Sequence, residues 1–78
     1  MKSIVIQSGL RLFRRTAGPV LARTNEVVPA GSRIRVGEEE TLHYDHRSQQ
    51  ALTVEWDGAN DGVQRYVLKS EYLQSWIS

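Results

Sequence analysis

Hydrophobic and polar positions alternate with a period of two along much of this chain, and a helical period is hard to find. The cleanest case is Arg33-Ile34-Arg35-Val36, where Ile34 and Val36 fall on one side of an extended strand and both arginines on the other. Leu52-Thr53-Val54-Glu55-Trp56 repeats the pattern, with Leu52, Val54 and Trp56 on one face. Ile4-Val5-Ile6, Leu10–Arg15, Val20–Arg23, Glu26–Val28 and Val63–Leu68 read as further short extended runs.

Turn chemistry separates these runs. Ser8-Gly9 ends the first, Ala17-Gly18-Pro19 the second, and Thr24-Asn25 divides Val20–Arg23 from Glu26–Val28. Pro29-Ala30-Gly31-Ser32 is a second strong turn, and Asp57–Gly62 reads as a hairpin loop. Gly37 ends the Arg33–Val36 strand, and the polar stretch from Gly37 to Gln50 reads as one long loop, with Leu42-His43-Tyr44 as a short extra strand inside it. Long loops on small scaffolds are often where binding residues sit. Ser70–Leu73 reads as a single helical turn placing Tyr72 and Leu73 on the end of the domain. The expectation is one all-β domain over residues 1–78, a small barrel of about five strands with a short helical turn near the C-terminus.

Composition narrows the setting. The 78 residues contain no cysteine, so neither a disulfide framework nor a thiolate metal site supplements a small core. No window approaches the roughly 18 apolar residues of a membrane span, and the opening MKSIVIQSG lacks the apolar core of a signal peptide. A cytoplasmic protein is expected. Charge is sorted along the chain: residues 1–36 hold seven bases against Glu26 alone, a net +6, and residues 37–78 hold three bases against eight acids, a net −5. Such segregation suits docking to a charged partner. No nucleophile motif and no glycine-rich phosphate loop is present, so no enzymatic activity and no cofactor are expected.

In order along the chain, Ala17-Gly18-Pro19, the segment Val28–Val36 with its Pro29-Ala30-Gly31 turn, Thr53–Gly58, Tyr66-Val67 and Ser70–Leu73 resemble the bacterial SH3-like domains, over about Gly9 to Leu73. The resemblance implies a small SH3-like barrel and, for many members, a role in binding peptidoglycan. The chain departs from that pattern in its longer Gly37–Gln50 stretch, the missing Gly-Trp pair of the closing strand and the lack of an export signal. Val63-Gln64-Arg65-Tyr66 is also similar to the Val-Gln-x-Tyr segment of type II dihydrofolate reductases, which implies a tetrameric dihydrofolate reductase whose pore this segment lines. The tryptophan-rich stretch of that family has no counterpart here.

Arginine outnumbers lysine eight to two, and its planar fork suits bidentate contact with carboxylate or phosphate. Two readings stand. In one, Arg33 and Arg35 form an outward face, extended by Arg11, Arg14 and Arg15 if the second strand lies alongside, and this face binds nucleic acid or an acidic protein. In the other, the arginines of the first half pair internally with the acids of the second. The expected function is a small binding module that recruits or blocks a protein partner, such as a bacterial or phage inhibitor, through Arg33, Arg35, Glu39, His43, Tyr44 and Arg47. Glu38-Glu39-Glu40 reads as a solvated run or a phosphate mimic. His43, Asp45 and His46 carry donors a metal uses, but two histidines in a loop fall short of a site, and no metal is expected. Trp56, Tyr66, Tyr72 and Phe13 read as core or rim anchors. Trp76 and Ile77 either dock on the domain or form a homodimer contact.

Overall fold

The computed structural model describes residues 1–77, the last of them by its backbone alone. Six strands form one antiparallel sheet: β1 (Lys2–Val5), β2 (Leu10–Arg15), β3 (Leu21–Val28), β4 (Arg33–Tyr44), β5 (Arg47–Glu55) and β6 (Arg65–Leu68). They lie in the order β1-β4-β5-β6-β2-β3, and helix α1 (Lys69–Ile77) follows β6 directly. The protein is therefore a small all-β domain with a C-terminal helix, as the alternation implied. No helix among the described residues is long and apolar enough to cross a membrane.

The expected turns form where their residues demand them. Gly18, at φ 55°, sits in a turn closed by the Val20 amide on the Ala17 carbonyl at 3.1 Å. Gly31, at φ 87°, sits in one closed by the Ser32 amide on the Pro29 carbonyl at 3.2 Å. Thr24-Asn25 does not divide two strands. It lies in an irregularity of β3, where Arg11 pairs with Val27 and Phe13 with Arg23, so β3 holds two more residues than β2 over that interval. The Thr24 hydroxyl secures the excursion, donating to the Leu12 carbonyl at 2.7 Å and accepting from the Glu26 amide at 3.1 Å.

The larger correction concerns Gly37–Gln50. This stretch is not a loop. β4 runs through Gly37 to Tyr44, and β5 returns from Arg47, joined by the two-residue turn Asp45-His46. Register shifts once, between the pair Val36↔Val54 and the pair Glu39↔Leu52, so β4 carries one extra residue at Gly37-Glu38. A one-residue shift exchanges the two faces. Ile34 and Val36 consequently join one apolar cluster, with Ile6, Leu10, Leu12, Val28, Leu52, Val54, Val67 and Tyr72. Leu42 joins a second, with Phe13, Leu21, Ala51, Tyr66 and Leu68, and Tyr44 packs against it. Successive residues of β5 and β6 feed alternate clusters, so these central strands are buried on both faces.

The sheet also curls. The Pro19 carbonyl accepts from the His43 amide at 2.7 Å, bringing the β2–β3 turn onto the far half of β4. At the other end, the Gln7 and Ser8 amides donate to the Ser75 carbonyl at 2.5 and 3.0 Å, tying the β1–β2 link to α1. The helix is nine residues long where a single turn was expected. Among the described side chains of its second half only Tyr72 and Ser75 are buried, so the apolar periodicity is faint in the sequence.

At the β4 irregularity a Cβ on Gly37 would stand 2.3 Å from Thr53 Oγ1 and 3.1 Å from the Met1 methyl. We expect Gly37→Ala to destabilise the domain by about 1–3 kcal/mol, read from the urea midpoint. Adding Thr53→Ala is expected to restore part of that loss, whereas independent sites would show simple addition of the two effects.

Candidate functional site

The tip of the β4–β5 hairpin gathers three of the six residues expected to contact a partner. His43 pairs with Ser48 and Tyr44 with Arg47 across the ladder, and Asp45 and His46 form the apex. Both apex residues have positive φ, 56° and 61°, the geometry of a type I′ turn, which matches the strand twist and normally selects Asn-Gly. An Asp or His in this region is strained relative to glycine. The tip is nonetheless firmly seated. The Tyr44 ring meets Phe13 edge-on, with centroids 4.9 Å apart and planes at 77°, and Phe13 is fully buried. His43, Asp45, His46 and Arg47 remain exposed around that anchor.

The sequence reading missed Asp45 and His46 as the apex of a turn. The usable signal was the alternation of Leu42 and Tyr44 with Gln49 and Ala51 on either side of a two-residue gap. Gly37 and the three glutamates masked it. His43 Nδ1 lies 3.4 Å from Ser48 Oγ. Among the described residues no three His, Asp or Glu side chains converge closely enough to hold a metal ion.

The other three expected contacts lie elsewhere. Glu39 pairs with Lys69 at 2.8 Å, linking β4 to the start of α1. Arg33 and Arg35 stand at the opposite end of β4, beside β1. Arg35 donates to Glu55 at 3.1 Å and to Asp57 at 3.5 Å, and Arg33 reaches over β1 to Ser3 Oγ at 3.2 Å.

The arginines do not make one face. β2 does not lie beside the Arg33–Val36 half of β4, because β5 and β6 separate them in the sheet. Arg11 donates to the Thr24 carbonyl at 3.0 Å, and Arg15 pairs with Glu40 at 3.2 Å. Arg14 and Arg23 line a hollow with Asn25 and Glu26 at the β2–β3 end of the strand order, whereas Arg33 stands beside β1 at the other end. Part of the segregated charge is thus used internally, with Arg15–Glu40, Arg35–Glu55 and Arg35–Asp57 joining bases of the first half to acids of the second.

Arg65, which none of the expected sites includes, holds the most developed polar cluster. Its side chain is 11% exposed. Nε and Nη2 donate to the two carboxylate oxygens of Glu26 at 3.0 and 2.9 Å, a bidentate pair. Nη2 also reaches Asp61 Oδ2 at 3.0 Å, Nη1 contacts Asp61 Oδ1, and Nη1 donates to the Val63 carbonyl at 2.9 Å. Gln64 turns back on the sheet, its amide donating to the Val54 and Arg65 carbonyls at 3.3 and 2.9 Å. The cluster pins the β5–β6 loop against β3, and Arg65 lines a cleft of about 320 Å³ together with Val54, Trp56, Val63 and Gln64.

The guanidinium of Arg65 and the Val63 amide hold the Asp61 carboxyl down at about 2, from an ordinary 3.8. A depressed carboxyl contributes stability that is full above its unfolded value and is lost as pH falls from about 3.8 toward 2. We expect Asp61→Asn to lower the urea midpoint at neutral pH and to flatten the acid limb of the stability profile in that window. An unchanged acid limb would mean that Asp61 gains nothing from Arg65.

Against known proteins, no family model matches this chain, and no curated protein or solved structure is significantly similar to it, so the geometry of the tip and of the arginine clusters carries the functional reading.

Proposed function

We propose that this chain is a small binding module that docks to a protein partner through the tip of the β4–β5 hairpin, recruiting or blocking that partner. The observation that supports this most is the apex. Asp45 and His46 occupy two consecutive left-handed positions that Asn-Gly would fill with less strain. A strained turn held on a firm anchor, with His43, Asp45, His46 and Arg47 exposed around it, is the arrangement of a preformed contact loop. The likeness to bacterial SH3-like domains belongs to this reading, as does a regulatory or inhibitory role inside the cell. The nucleic-acid alternative draws less support, because its arginines sit on strands that β5 and β6 separate, and Arg15 and Arg35 are already paired.

The test separates strain from contact. Replacing Asp45-His46 by Asn-Gly is expected to raise stability by about 1 kcal/mol, read by thermal unfolding. In cells, a photo-crosslinking side chain at position 46 is expected to trap a defined protein, and the same group at position 27 is not. The Asn-Gly variant combined with Arg47→Ala is expected to bind the trapped protein at least about tenfold more weakly. Undiminished binding by that variant, or trapping at position 27 alone, overturns the proposal. Fluorescence anisotropy with duplex DNA, single-stranded DNA and RNA is expected to stay flat at low salt. Binding that falls steeply with salt would favour the arginine reading instead.

A further inference from the structure

The two edges of the sheet are not equivalent. β3 is the longer edge, but its backbone is thrown out of register at Thr24–Glu26, and the chain just before it is covered where Val20 meets His43. Both features block the approach of another strand. β1 has neither. Its ladder with β4 is uninterrupted from Lys2↔Val36 to Val5↔Arg33, and three of its four residues are exposed. In an antiparallel pair alternate residues direct both backbone groups away from the partner, so β1 offers two N–H and two C=O groups on its free side.

The charge around this edge selects what fits there. Lys2 lies on the face shared with α1, its Nζ 5.9 Å from the ring centre of Trp76, which is itself 41% exposed. On the other face the Arg33 guanidinium extends over β1 to Ser3. Among the described residues neither cation has a carboxylate partner, whereas Arg35 next to them has two. One free cation therefore stands on each face of the open edge, beside exposed Val5 and Trp76. A second copy of the chain would bring the same cations toward themselves, and like charges on facing strands repel.

We infer that β1 is an acceptor edge for an extended acidic segment of another protein, which adds as a seventh strand with carboxylates directed to both faces. Such a segment carries adjacent acidic residues, because neighbouring side chains of a strand point to opposite faces, flanked by apolar residues that meet Val5 and Trp76. This surface is distinct from the hairpin tip, so the two proposals stand or fall separately.

The probes are two labelled octapeptides, Thr-Val-Thr-Glu-Glu-Val-Thr-Val and its counterpart with Lys-Lys at the centre. The acidic peptide is expected to bind at least about tenfold more tightly and to slow amide exchange at β1 while leaving β3 unchanged, read by NMR. Lys2→Glu with Arg33→Glu changes exposed side chains only, and it is expected to reverse the preference. The Asn-Gly turn variant is expected to bind the acidic peptide as the wild type does. Equal affinity for both peptides, no binding at millimolar concentration, protection at β3 instead of β1, or a dimer of the chain closed through β1 would each overturn the inference.

Discussion

One extra residue in β4, between Val36 and Glu39, decides how the rest of the sheet is built. Side chains of a strand alternate strictly, so in an unbroken β4 Leu42 and Tyr44 would face the same way as Ile34 and Val36. The added residue exchanges the faces midway. The first half of the hairpin then seals the cluster under β1 and α1, and the second half covers Phe13, Leu21 and Tyr66 on the reverse. A domain of 78 residues has little apolar material, and using both faces of β5 and β6 draws two small cores from one sheet. Gly37 is the residue that permits this, since Thr53 occupies the space a side chain would need.

The charge segregation acquires a structural meaning once the register is known. Arg35 and Glu55 are directly opposed in the β4–β5 ladder, so a slip of one residue would set Arg35 against Val54 and bring the apolar faces to solvent. Pairs such as Arg35–Glu55 and Arg15–Glu40, with side chains about 40–50% exposed, are worth little individually. Their value lies in discriminating the correct pairing from its neighbours. Arg65 differs, because its guanidinium is largely covered and its bidentate contact with Glu26 reaches across 39 positions of sequence. It fastens the one long loop of the sheet to the edge strand β3.

Much of this architecture was legible. The alternations at Arg33–Val36 and Leu52–Glu55 are strands, the Gly18 and Gly31 turns lie where glycine and proline marked them, and Tyr66 and Tyr72 are buried anchors. What escaped the sequence escaped for definable reasons. Gly37 followed by three glutamates has the composition of a loop, yet the glutamates stand on a hairpin whose other positions carry the packing. Asp45-His46 is not among the dipeptides that announce a two-residue turn. The adjacency of β2 and β4 was an open condition of the arginine face, and strand order is a long-range property that no local pattern encodes. Trp76, expected either to dock on the domain or to meet a partner, rests on Tyr72 with centroids 6.0 Å apart while keeping 41% of its surface open. The Ile77 side chain, paired with it in that expectation, lies outside the described residues.

The bond between the β1–β2 link and Ser75 has a kinetic side. The amides of Gln7 and Ser8 find their acceptor 67 or more residues later, and β2 waits for β6, so the first strands cannot be completed by their sequence neighbours. Only the β2–β3 and β4–β5–β6 hairpins can form locally. Non-local closure of this kind is slow, on a scale of milliseconds to seconds. The two hairpin units therefore stay unsealed against each other until the segment around Ser75 and β6 is in place to join them.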